Sequence, residues 1–143
     1  MKKRILLISI AGLLLLFFCS CNSSTALDIN GISKDSAMIA KGEVSFMQYC
    51  SSCHNFRQGS IGPPLGGLTD SVSPGWIRDF IRSPKKIIES SDQRARRLFK
   101  KYKVAMPSFT AFTDDEMNGI IAFLNTHKKP VQQKTKGGVV GKS

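Results

Sequence analysis

Cys50-Ser51-Ser52-Cys53-His54 sets two thiols and an imidazole within five consecutive residues, and whatever this cluster binds becomes part of the fold. Paired cysteines serve four chemistries: a disulfide, a metal site, dithiol redox or a covalent cofactor. A structural zinc site wants four N or S ligands, yet no cysteine follows Cys53 and His127 is the only other histidine. A thioredoxin-like pair expects an α/β pattern around it, and no strand pattern occurs. A disulfide across a two-residue gap would have nothing to staple. There remains C-x-x-C-H as the attachment signature of a c-type haem. Each sulfur adds to a haem vinyl group, and the two-residue gap matches the separation of the two vinyls. The histidine next in the chain is then carried beneath the iron. The expectation is one haem c, held covalently by Cys50 and Cys53, with His54 as an axial ligand of its iron.

Such attachment takes place outside the cytoplasm, and the N-terminus carries a matching address. Lys2, Lys3 and Arg4 precede an apolar run from Ile5 to Phe18. That run has the length of a signal h-region and falls short of the ~20 residues that span a bilayer. The Phe18-Cys19-Ser20-Cys21 segment resembles the processing site of bacterial lipoproteins, with Cys21, preceded by Ser20, as the candidate lipidated residue. An uncleaved, slightly short N-terminal anchor is the alternative. Residues 1–20 hold three basic and no acidic residues, so their removal lowers the formal charge of +11 only to +8. The basic excess therefore belongs to the exported domain. An exported, membrane-anchored protein on the periplasmic or another extracytoplasmic face is expected.

Residues 21–36 read as a linker and residues 128–143, with five lysines and no aromatic residue, as a disordered basic tail. The domain then spans 37–127, a size at which burial alone leaves stability marginal. Its pattern is all-α. Ile39, Gly42, Phe46, Tyr49 and Cys50 share one face of a helix near 37–51. Ser73-Pro74 starts a second helix with a cap residue and proline at the first helical position. Lys85–Ser90 reads as a separate short turn, and Asp92–Lys103 as a further helix. Thr113 and Glu116 form a capping box ahead of Met117, Ile120, Ile121 and Leu124, at i, i+3, i+4 and i+7.

The segment from Gly42 through Phe46 to His54 fits G-x-x-x-F-x-x-x-C-x-x-C-H and resembles the N-terminal helix and haem site of class I cytochromes c. Ile61-Gly62-Pro63-Pro64-Leu65 resembles the family's G-P-x-L loop, Ala105-Met106-Pro107 its M-P ligand loop, and Gly119–Leu124 its terminal helix. The resemblance covers most of 38–127. It implies three to five helices wrapped around one haem, with Met106 as the second axial ligand. Met38, Met47 and Met117 fall on helices, where methionine fills gaps. His127, at the end of the last helix, is the competing ligand. The resemblance also makes the Pro63 carbonyl the acceptor for the other ring N–H of His54, packs Leu65 on the haem, and crosses Gly42 and Phe46 with Ile120 and Phe123. Trp76, Tyr102 and Arg78 are all candidates to meet a haem propionate.

Methionine on the sixth position closes the iron and suits one-electron transfer rather than catalysis. The expected function is therefore a one-electron carrier between membrane-associated redox proteins, not an enzyme and without a small-molecule substrate. The alternatives are a peroxidase-like haem enzyme or a haem-based ligand sensor, each requiring an open sixth position. Peroxidase relatives of this family carry two C-x-x-C-H motifs, and this chain carries one. Residues 78–103 hold ten basic residues against Asp79, Glu89 and Asp92. Such a run is either a solvated face or a docking field for an acidic redox partner. An exported chain without a recognisable binding motif argues against nucleic acid.

Overall fold

The computed structural model describes residues 26–129. The expected signal peptide, Cys21 and the tail from residue 130 lie outside them. Five helices follow one another: α1 (Ser36–Tyr49), α2 (Pro74–Arg82), α3 (Pro84–Glu89), α4 (Gln93–Tyr102) and α5 (Asp114–Thr126). Among the described residues the only β-type pairing is an isolated bridge between Leu27 and Ser33. None of their helices is long and apolar enough to cross a membrane.

The helix starts follow from local chemistry. Asp35, Ser73, Asp92 and Thr113 each accept a backbone N–H from the first turn of the helix they precede. At α5 the box is reciprocal, with the Glu116 carboxylate accepting the Thr113 N–H. Pro84 forces a new start after α2, so the expected turn at 85–90 is a short helix instead.

Packing centres on α5. Every residue from Met117 to Leu124 except Asn118 is buried, because α1 covers one side and the apolar residues of a large cavity cover the other. A helix apolar all round is a buried helix. At the α1–α5 crossing Gly42 faces Gly119: a Cβ built on Gly42 would lie 1.8 Å from the Gly119 carbonyl oxygen. Phe46 stands beside this contact, its ring 5.3 Å from Phe123 and 5.0 Å from Phe56. The crossing thus contains the residues the sequence nominates, plus Gly119.

The linker expectation needs correction. Residues 26–34 form a hydrogen-bonded turn on the domain. Lys34 N–H donates to the Ala26 carbonyl at 2.7 Å, and Ile32 is 3% exposed within the core. The Asp28 carboxylate accepts the N–H groups of Asn30 and Ile32 and the side-chain amide of Asn125, each at 2.8 Å. Burial pushes this carboxyl up, but these donors outweigh it and hold it below its usual range. The segment folds through side-chain-to-backbone bonds, which leave no hydrophobic period to read. The tail also begins later than expected, since Lys128 donates to Asp70 at 2.8 Å and Asn125 at 2.6 Å.

Asp92 joins α2 to α4. One oxygen caps α4 at Ala95 N–H (2.7 Å), and the other accepts the Trp76 indole N–H (2.9 Å). The Ala95 N–H, then the Trp76 N–H, hold its carboxyl below the usual range. A depressed carboxyl stabilises the fold above its unfolded value, about 3.9, and loses that contribution as pH falls through the folded value. Asp92→Asn keeps a capping side chain. It is expected to lower the thermal midpoint at neutral pH and to flatten its decline below about pH 4, followed by thermal melts across the acid range.

Candidate haem site

The attachment motif forms a single turn after α1. Cys53 and His54 N–H groups both donate to the Cys50 carbonyl, at 3.1 and 3.0 Å. This places both sulfurs and the imidazole on one cavity wall. Cys50 is buried and Cys53 half-buried, and both are free thiols. Burial, then the neighbouring Cys53, pushes the Cys50 thiol up to about 11. No group of three or more His, Cys, Asp or Glu among the described residues is arranged to hold a metal ion.

Beyond the motif the chain folds back over His54. Gly62 N–H donates to the Cys53 carbonyl at 2.9 Å, and Leu65 N–H to the Asn55 carbonyl at 2.8 Å. His54 Nδ1 lies 2.8 Å from the Pro63 carbonyl oxygen. Since a carbonyl only accepts, Nδ1 carries the proton, and in the neutral ring Nε2 keeps its lone pair. Gly62 permits this closeness: a Cβ there would lie 2.4 Å from His54 Cε1.

Met106 lines the same cavity from the α4–α5 loop. The loop is held at both ends. Lys103 turns the chain out of α4 with φ of 61°, and Phe109 N–H donates to the Ile81 carbonyl at 3.1 Å. Most of the remaining lining is apolar, among it Leu65, Leu68, Ile77, Phe80, Leu98 and Ile120. His127 stands elsewhere: its ring stacks on Phe56 at 3.5 Å, and Nδ1 is 3.2 Å from the Phe123 carbonyl oxygen.

The propionate candidates divide. Trp76 and Tyr102 line the cavity, whereas Arg78 is bonded to Asn118 and does not. Sequence reading missed Arg94. It lines the cavity, lies 5.7 Å over the Trp76 ring, and its buried Nε has no hydrogen-bond partner. An orphaned guanidinium N–H on an apolar wall is a place for an anion. Only its position next to the α4 cap could have signalled it, and a basic run offers no way to pick one arginine.

Two thiols, an oriented imidazole, a thioether and an orphaned guanidinium around one apolar cavity fit a haem with its carboxylates. The family described as cytochrome c matches residues 39–128. The chain belongs to the cytochrome c family. Its cofactor is a covalently bound haem c, and haem-based electron transfer is its general chemistry. Among solved structures this cytochrome is similar to cytochrome c from Rhodothermus marinus, with 26% identity and a TM-score of 0.61 over 64% of this chain and 78% of that one. An engineered form of that protein, bound to a carbene intermediate, matches with 25% identity and a TM-score of 0.57 over the same shares. The cytochrome c domain of the pp3183 protein from Pseudomonas putida is 32% identical, with a TM-score of 0.52 over 59% of this chain and 85% of that domain. No curated protein matches the chain.

Proposed function

We propose that this cytochrome is an exported, membrane-tethered one-electron carrier, not an enzyme, with His54 and Met106 as the axial ligands of a single haem. Cys50 and Cys53 form the two thioethers. The observation that carries the reading is that one cavity collects His54, with Nδ1 engaged by Pro63, and Met106 on an anchored loop. Bound there, haem supplies a one-electron ferric–ferrous couple.

The chain's own residues do the rest. Pro63 fixes the His54 tautomer and raises its basicity. With haem bound, Met106 would hold the iron from the side opposite His54, keeping out external ligands and favouring its reduced form. Apolar walls exclude water, and the covalent and loop anchors hold the ligands still in both oxidation states. Arg94, with its unpartnered Nε, would receive a haem carboxylate. The optical spectrum of the oxidised protein tests the ligand set, because a weak far-red band reports a methionine–iron bond. A spectrum without it overturns the assignment. Arg94→Leu removes a positive charge that disfavours oxidation, so the potential is expected to fall by up to about 60 mV, a tenfold shift for one electron. Arg94→Lys is expected to recover part of this in a potentiometric titration.

Ile61, Phe99 and Val104 line the cavity and are 51%, 42% and 53% exposed, so the cavity reaches the surface at their rim. Exposed Lys100, Lys101 and Lys103 stand beside it in sequence. This edge suits a redox protein with an acidic docking surface. Steering of this kind raises encounter rates and is screened by salt. The bimolecular electron-transfer rate with such a partner is expected to fall about tenfold between about 10 and 150 mM ionic strength. A flat dependence would remove the docking field.

A further inference from the structure

The turn at 26–34 holds apolar side chains out into solvent. Ile29 is 99% exposed and Leu27 56%. This is not a loose end. Asp28 N–H donates to the Ile32 carbonyl at 2.8 Å, the Asp28 carboxylate ties the tip, and Asn125 ties Asp28 to the end of α5. These bonds hold Ile29 out at the tip of the turn. One side chain and its neighbour are far too small for a stable protein interface, which buries about 800 Å² on each partner. A bilayer surface accepts a single apolar protrusion.

The proposed tether would bring a bilayer to this place. Cys21 lies five residues before Ala26, and the apolar run ends at Phe18. Five residues reach at most about 18 Å. Two cations stand near the turn. Exposed Lys34 closes it, and exposed Lys129 lies against Gly67, whose N–H donates to the His127 carbonyl, while Lys128 is already paired with Asp70. From Lys128 onward the sequence holds five lysines and no acidic residue.

We infer that the Leu27–Gly31 turn seats on the bilayer to which the N-terminus tethers the chain. Ile29 enters the headgroup boundary, and Lys34 and Lys129 meet anionic headgroups. The inference rests on the membrane tether proposed above. Its consequence is orientation. α1 runs from Ser36, beside the turn, to Tyr49, just before Cys50, so the first attachment cysteine stands one 14-residue helix, about 21 Å, from the turn.

The test uses the haem-loaded full chain on vesicles of phosphatidylcholine and phosphatidylglycerol. Ile29→Cys and Val44→Cys are compared for labelling by a bulky, membrane-impermeant maleimide, with the parent protein as baseline. Both sites are exposed, Val44 at 67%, and an unchanged haem spectrum shows that each variant is folded. The position-29 thiol is expected to label about tenfold more slowly than the position-44 thiol. Equal or faster labelling on protein that floats with the vesicles overturns the seating of the turn and leaves the tether standing. Protein that does not float overturns the tether, and the inference with it. Protection that rises with protein density, together with a crosslinked dimer, assigns the turn to a second copy and overturns the bilayer contact.

Discussion

Gly42→Ala is expected to destabilise the protein, although helix propensity alone predicts a gain of about 1 kcal/mol. The added Cβ would lie 1.8 Å from the Gly119 carbonyl oxygen and 2.8 Å from the Ile120 nitrogen. Both are backbone atoms of a buried helix and have no rotamer by which to yield. α1 and α5 must separate, and separation loosens Phe46 against Phe123 and opens the cavity wall that Phe46 and Ile120 share. Overpacking costs about 1–3 kcal/mol where neighbours can adjust, so a backbone collision belongs at or above the top of that range. For a domain of this size, 3 kcal/mol corresponds to a loss of at least about 12 °C in thermal midpoint. Gly119→Ala offers an internal control. Its Cβ would meet Gly42 and Met38 backbone atoms at 3.2 Å, a tight contact rather than an overlap, and a smaller loss is expected. A Gly42→Ala protein that melts at or above the parent temperature would refute the backbone crossing.

Met106→Ala is expected to abolish the far-red band of the oxidised protein and to lower the reduction potential by more than about 120 mV, two decades in a one-electron equilibrium. The physical cause is loss of a neutral, polarisable thioether that favours ferrous iron. With the position vacated, the reduced protein is expected to take up carbon monoxide, which the parent is expected to resist. Folding should survive, because Met106 is half-buried in a loop held independently at Ile81 and Lys103. Thermal melts separate a ligand effect from simple unfolding. His127→Ala supplies the contrast, since its ring lies against Phe56 and Phe123 rather than in the cavity. It is expected to cost stability and to leave the far-red band in place. If the band instead persists in Met106→Ala and vanishes in His127→Ala, the ligand assignment is reversed.

What could be read from the sequence was local. The spacing of Cys50, Cys53 and His54 confines three functional groups to one turn of chain, so their neighbourhood depends on nothing distant. The caps at Ser73 and Thr113 act within their own first turns, and the apolar period of α5 declares a helix wherever it packs. Met106 and Pro63 are legible only through resemblance, because nothing within a loop tells which way a methionine or a carbonyl points. Tertiary structure alone decided three features. It set Gly119 against Gly42 and left the Arg94 Nε buried and unpartnered on the cavity wall. It also turned residues 26–34 from linker into part of the domain, through one aspartate and Asn125, 97 positions away. Each depends on residues far apart in the chain meeting across a gap. Backbone closeness, an orphaned donor and a side-chain clasp leave no periodic trace, so only the folded chain reveals them.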